Sequence, residues 1–231
     1  MFSNVYLAVT SREMENFLPK KAAYLSCHFS PSGQGLSNLP RCLPENSLLL
    51  LDDSMPVCGH SPGVVIKQLR DLVKDFSVKA VLLDFQGEKT EQLQAMAQEI
   101  LRSTPCPVAI TDAYAKGFGC PVFLSPPPAD RSLEKHISKW LKQGVYLEIA
   151  PCSVKMEVTE TGCRKTALPS SVAGNLLLHH ENLCCHYDVE VFPDRAVFTL
   201  DRTKDDLAAL AEKAMKLGVL GTVGLYQELL K

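Results

Sequence analysis

Short apolar runs alternate along this chain with longer stretches whose apolar residues recur every three to four positions. The first pattern is that of a buried strand, the second that of a helix with one apolar face. Their regular alternation predicts a parallel sheet. Eight runs carry the strand pattern: 5–9, 22–27, 47–51, 80–85, 107–111, 121–124, 145–149 and 222–226. Between them, Val65, Leu69, Leu72, Val73 and Phe76 share one face of a helix opened by Ser61-Pro62. Leu93, Met96, Ala97, Ile100 and Leu101 share a face of the next, and Leu133, Ile137, Trp140 and Leu141 predict a third over 132–141, stopped at Gly144. Thr203 with Asp206 resembles a capping box and opens a last long helix through Leu217.

Eight strands are enough to close a small barrel. The pattern therefore predicts an α/β fold of the (β/α)8 TIM type, with 1–231 read as a single barrel-like domain. At 231 residues the chain is short for such a fold, which takes about 250, so some helices must be reduced. The stretch 30–46, punctuated by Pro31, Gly33, Gly35, Pro40 and Pro44, is expected to replace one. After residue 150 the pattern changes. Two extended pairs, 154–159 with 164–168 and 188–192 with 195–200, predict a β-rich insertion over 152–200 on the rim, between strands seven and eight.

In such a barrel the C-terminal ends of the strands carry the chemistry. The run 80–86 is informative here because side chains alternate along a strand. Ala80, Leu82, Asp84 and Gln86 share one face; Val81, Leu83 and Phe85 share the other. Asp84 and Gln86 thus point the same way at a strand end, although two solvated polar groups capping a strand would look no different. Glu148 interrupts the apolar run 145–149, where a charge must face a polar cavity or a partner such as Lys155 or Arg164. With Leu147 and Ile149 toward the helices, Glu148 and Tyr146 face the barrel. Asp52, Asp53, Asp112, Tyr226 and Glu228 also stand at strand ends. Acids at so many ends of one rim predict a polar cleft, with Tyr114, Tyr146 and Tyr226 as its aromatic floor.

The remaining composition narrows the partners. A net charge of −2 gives no basic footprint for nucleic acid or for an anionic membrane. No apolar stretch reaches the roughly 18 residues a transmembrane helix needs. The N-terminal segment lacks the basic start and long apolar run of a signal peptide, and the nine cysteines are an odd number. Both point to reduced thiols in the cytoplasm. His179-His-Glu-Asn-Leu-Cys-Cys-His186 raises the question of zinc, but neighbouring residues point apart in an extended chain. Cys184 and His186 make at most a partial set, so no metal is expected. The glycines of Lys116-Gly-Phe-Gly-Cys120 precede no helix, so they form no phosphate cradle. No cofactor is implied, and the oligomeric state is left open.

The run Lys79-Ala-Val-Leu-Leu-Asp-Phe-Gln86 resembles the D-G-x-D-x-D-W-E strand of family 18 glycoside hydrolases, the chitinase family. Asp84 stands at the last Asp and Phe85 at the aromatic. Gln86 stands where the family has its proton-donating Glu, and Lys79, Ala80 and Leu82 replace the upstream Asp, Gly and Asp. The motif falls on the fourth strand, as in the family, and the insertion before strand eight is similar too. So is the closing run of His186-Tyr-Asp188, a helix and Gly221-Thr-Val-Gly-Leu-Tyr226. The resemblance implies a barrel that binds amino-sugar glycans, or another small molecule, with Asp84 orienting the substrate's N-acetyl group. The substrate-binding set is expected to be Gln86, Asp53, Asp112, Tyr114, Tyr146 and Tyr226. Because Gln86 cannot donate a proton as a carboxylic acid does, the expected protein is catalytically impaired. Two alternatives stand beside it: a glycosidase using Glu148 as acid with Asp84, and a barrel serving only as an interaction scaffold.

Overall fold

The structure is a computed structural model that describes residues 2–57, 59, 61–169 and 176–230. All eight expected strands are present: β1 (Val5–Val9), β2 (Ala22–Phe29), β4 (Leu48–Asp52), β5 (Ala80–Asp84), β6 (Val108–Thr111), β7 (Val122–Leu124), β8 (Val145–Glu148) and β14 (Gly221–Leu225). They pair in parallel in the order β1-β14-β8-β7-β6-β5-β4-β2, and β2 returns to pair with β1. The sheet is thus a closed barrel.

Period-two alternation sorts the side chains into two cores. Tyr6, Ala8, Ala23, Leu48, Leu50, Ala80, Leu82, Ala109, Phe123, Tyr146 and Val223 fill the interior. The intervening residues, among them Leu49, Leu51, Val81, Leu83, Leu147 and Ile149, join a larger outer core with the helices. Small residues opposite large ones let so narrow a barrel fill without a pore.

The helical layer is thin. Full helices follow two of the strands: α2 (Pro62–Phe76) after β4 and α3 (Glu91–Ser103) after β5. The first connection holds the single turn α1 (Ser11–Met14), and 30–46 holds no helix but the short β3 (Leu36–Ser37), antiparallel to β2. The expected helix over 132–141 shrinks to α4 (Leu133–Ile137), because the Trp140 amide donates to Ile137 O, three residues back, and the chain tightens into turns. Gly144 ends that segment at φ +94°, where a Cβ would meet Leu220 Cδ1 at 2.8 Å. The last strand also ends earlier than expected: Tyr226 begins a short helix, α6 (Tyr226–Leu230).

Between β8 and β14 lies one antiparallel sheet instead of two separate pairs. Its strands are β9 (Cys152–Thr159), β10 (Gly162–Ala167), β11 (Leu178–His180), β12 (Cys185–Val191) and β13 (Arg195–Arg202), ordered β10-β9-β13-β12-β11. The chain returns to the barrel through α5 (Lys204–Lys216), whose capping box of Thr203 and Asp206 forms as the sequence predicts. At this junction Arg202, 2% exposed, donates to Pro127 O (2.7 Å), Cys184 O (3.2 Å) and Leu183 O (3.1 Å). One guanidinium thereby ties the loop after β7 to the turn between β11 and β12. Arg202→Ala leaves those carbonyls without donors and is expected to cost about 3 kcal/mol or more in urea unfolding. Arg202→Lys should recover little of this, since an ammonium lacks the planar fork of donors.

Candidate functional site at the barrel mouth

At the C-terminal ends of the strands the inward positions turn from apolar to acidic. Above Ala80 and Leu82 in β5 stands Asp84; above Tyr146 in β8 stands Glu148. On β4 the inward row of Leu48 and Leu50 ends at Asp52, in register with Asp84 on one side and His28 on the other. His28 Nδ1 lies 3.8 Å from Asp52, whose Oδ1 accepts the Ser54 amide at 3.0 Å and the Ser54 hydroxyl.

Asp84 and Glu148 line one cavity of about 260 Å³, with Gln86, Thr111, Asp112, Phe123 and Ser125 among its other walls. Gln86 is exposed, and its side-chain amide donates to Asp84 Oδ1 at 2.9 Å, which fixes the carboxylate's direction. Asp53 works from behind. Its two carboxylate oxygens accept the Gln86 and Gly87 amides at 3.0 and 2.9 Å and hold the turn that carries Gln86. Phe85 also borders the cavity, but its side chain is fully buried and packs against Phe29 and edge-on to Tyr114.

The mouth concentrates negative charge. Burial pushes the Glu148 carboxyl up to about 7, and the charges of Asp84 and Glu228 add to the rise. Burial also raises Asp84; its hydrogen bond from Gln86 opposes this, while Asp52 and Asp53 reinforce it. Among the described residues no cation forms an ion pair with Glu148, so the bridge to Lys155 or Arg164 allowed by the sequence is not made. An acid of this kind can give up or take a proton near neutrality, which is what general acid–base chemistry requires.

The three tyrosines expected on the cleft floor are not brought together there. Tyr114 lies in the turn after β6, in the outer core, and its hydroxyl donates to Gly87 O at 2.8 Å. It supports the Gln86 turn from outside. Tyr146 does face inward but sits below Glu148, near the start of β14, where its ring and that of Tyr6 lie 3.2–3.3 Å from the position a Cβ on Gly221 would take. Tyr226 stacks on Phe17 at 4.8 Å, beside a depression of about 510 Å³ that Thr10, Arg12, Asn16 and Gln227 also line. That depression is on the same rim, where β1 and β14 end. Thr111 and Ser125 were not singled out from the sequence, although both stand at strand ends, the signal that marked Asp112.

No family model and no curated protein matches the chain. Among solved structures it is similar to a chitinase from Cycas revoluta in complex with (GlcNAc)3, with TM-score 0.55, 9% identity, and 97% of this chain and 94% of that one covered. The Bacillus cereus spore cortex-lytic enzyme SleL gives TM-score 0.52 at 10% identity, covering 96% and 70%. A chitinase from Chromobacterium violaceum gives 0.52 at 8%, covering 95% and 93%. These likenesses show a shared fold, that of the chitinases and cortex-lytic enzymes.

The raised Glu148 carboxyl has a measurable consequence. With its ordinary value at 4.5 and its folded value at about 7, the native state binds more protons than the unfolded chain between these limits. Its contribution to stability therefore falls as pH rises through that window and stays low above it. Glu148→Gln should raise stability at pH 8 by about 2–3 kcal/mol, with the difference gone below pH 4.5. Carbon-13 NMR of the Glu148 carboxyl should give a midpoint near 7; a midpoint near 4.5 would contradict the desolvated mouth.

Proposed function

We propose that this protein binds an N-acetylhexosamine-containing glycan at the barrel mouth and hydrolyses it poorly or not at all. The observation that carries this is the fourth-strand end itself. Asp84 is kept, desolvated and oriented, and the neighbouring position where the resembling enzymes have their proton donor is Gln86, hydrogen-bonded to Asp84. Asp84 accepts from the acetamide N–H, while Gln86, Thr111 and Asp112 offer donors and acceptors for ring hydroxyls. A cavity of about 260 Å³ suits one sugar ring. Further units extend along the rim toward the stacked Phe17 and Tyr226, whose faces give an apolar platform. The bound trisaccharide named for the Cycas revoluta chitinase supports this ligand class.

A second reading has its own observation in favour. Glu148 shares the cavity with Asp84 and is raised to about 7, so it holds a proton that Gln86 cannot supply. In that case the protein is an active glycosidase whose acid has moved from the fourth strand to the seventh.

Calorimetry with N-acetylglucosamine oligomers, together with fluorogenic hydrolysis, separates these readings. Binding without turnover is expected from the wild type, weakened at least about tenfold by Asp84→Ala. Gln86→Glu should then gain slow turnover, because a carboxylic acid beside Asp84 restores a donor worth about 10²–10⁴-fold. Wild-type turnover lost in Glu148→Gln would establish the relocated acid instead. Neither binding nor turnover in any variant would leave the barrel as an interaction scaffold.

A further inference from the structure

Away from the barrel mouth, the inserted sheet and the start of α5 bring three ligand-type side chains together. His179 on β11 and His186 on β12 are direct cross-strand partners, with ring centroids 4.9 Å apart. Asp206, in the first turn of α5, reaches both: its Oδ1 lies 3.0 Å from His179 Nε2 and its Oδ2 lies 2.9 Å from His186 Nδ1. The donor atoms of all three lie within 4.8 Å of one another. From these contacts we infer that His179, His186 and Asp206 form a binding site for a divalent transition ion of the zinc class, the fourth position being taken by water.

The donor set and its surroundings fit such an ion. Two imidazoles and a carboxylate suit zinc and its neighbours better than magnesium or calcium, which take oxygen ligands. Tetrahedral zinc, with bonds of about 2.0–2.2 Å, spaces its donors about 3.3–3.5 Å apart, so the side chains need turn only slightly around an ion. Asp206 is prepared for one-oxygen ligation. Its Oδ2 already accepts the Thr203 amide and hydroxyl, both at 2.8 Å, as part of the helix cap, besides its contact with His186, whereas among the described residues Oδ1 meets His179 alone. Oδ1 can therefore take the ion while Oδ2 keeps the cap, which fixes the carboxylate as outer-shell hydrogen bonds do in zinc sites.

Exposure provides the fourth position. Asp206 is 4% exposed, but the side chains of His179 and His186 are 42% and 34% exposed, so the open side of the cluster faces solvent. Three protein ligands and a water make an open zinc arrangement. Cys184 is close in sequence but is not part of the set: its thiol donates to Glu181 O at 3.3 Å. A bound ion would clamp the β11–β12 edge of the inserted sheet to α5, whatever the barrel mouth does.

The test uses the full chain, stripped with chelator and kept reduced. Cobalt(II) should give visible absorption of a low-coordinate site without the near-ultraviolet band of thiolate ligation, and zinc should displace it at one equivalent. In competition with a chromophoric chelator, His179→Gln and His186→Gln should each bind zinc at least about tenfold more weakly. Zinc should raise the melting temperature of the wild type but not of the double variant, whose chelator-treated melting checks that it folds. A thiolate band, equal affinity in the variants, or no binding at micromolar zinc would each overturn the site.

Discussion

Closure of the parallel sheet is the constraint on which the rest of the structure depends. Once β1 pairs with β14 on one side and β2 on the other, the eight barrel strands leave no open end, and each runs parallel to its barrel neighbours. All C-terminal ends then meet on one rim, and every second residue must fit inside a narrow interior. A strand that ends in a carboxylate delivers it to the shared mouth if its register is inward. This is how Asp52, Asp84 and Glu148, each from a different strand and far apart in sequence, come to act on one another electrostatically.

Packing sets how strongly those charges are felt. Phe123 lines the mouth cavity, and Leu50, Leu82 and Tyr146 fill the barrel below it, so the carboxyls stand over an apolar floor. Desolvation is accordingly the leading cause of the rise at both Asp84 and Glu148, with like charges adding to it. The supports are mostly outside the cavity. Asp53 grips two amides of the turn after β5, Tyr114 holds the Gly87 carbonyl, and the Thr111 hydroxyl donates to Phe85 O at 2.6 Å. These contacts hold the turn that carries Gln86, and through the Gln86 amide they orient the Asp84 carboxylate.

The inserted sheet is joined to the barrel by both an apolar cluster and buried polar groups. Its small core gathers Ala129, Cys185 and Leu200, while Arg202 binds carbonyls on both sides of the junction. Asp206 serves at once as helix cap and as partner of two histidines on the sheet's outer edge. Such groups act at a distance and in a set geometry, which suits an element that must be oriented on a rim.

Local periodicity by itself determined the elements from which the barrel is built. Eight apolar runs, the helices α2, α3 and α5 and the hairpins of the insertion follow from spacing, because the repeat of a strand or a helix is a property of consecutive residues. The same repeat placed Asp84 and Glu148 on inward faces. What it does not carry is depth, direction around the barrel, or pairing between distant segments. Tyr146 shares a face with Glu148 yet lies below it beside Tyr6; Tyr114 turns outward to Phe85; and Tyr226 leaves its strand for a helix. The strand β11 and the meeting of His179 and His186 with Asp206 were likewise invisible, since cross-strand register and helix docking bring them together. Sequence fixes which way a side chain faces along its own element; only the closed tertiary structure decides what it faces.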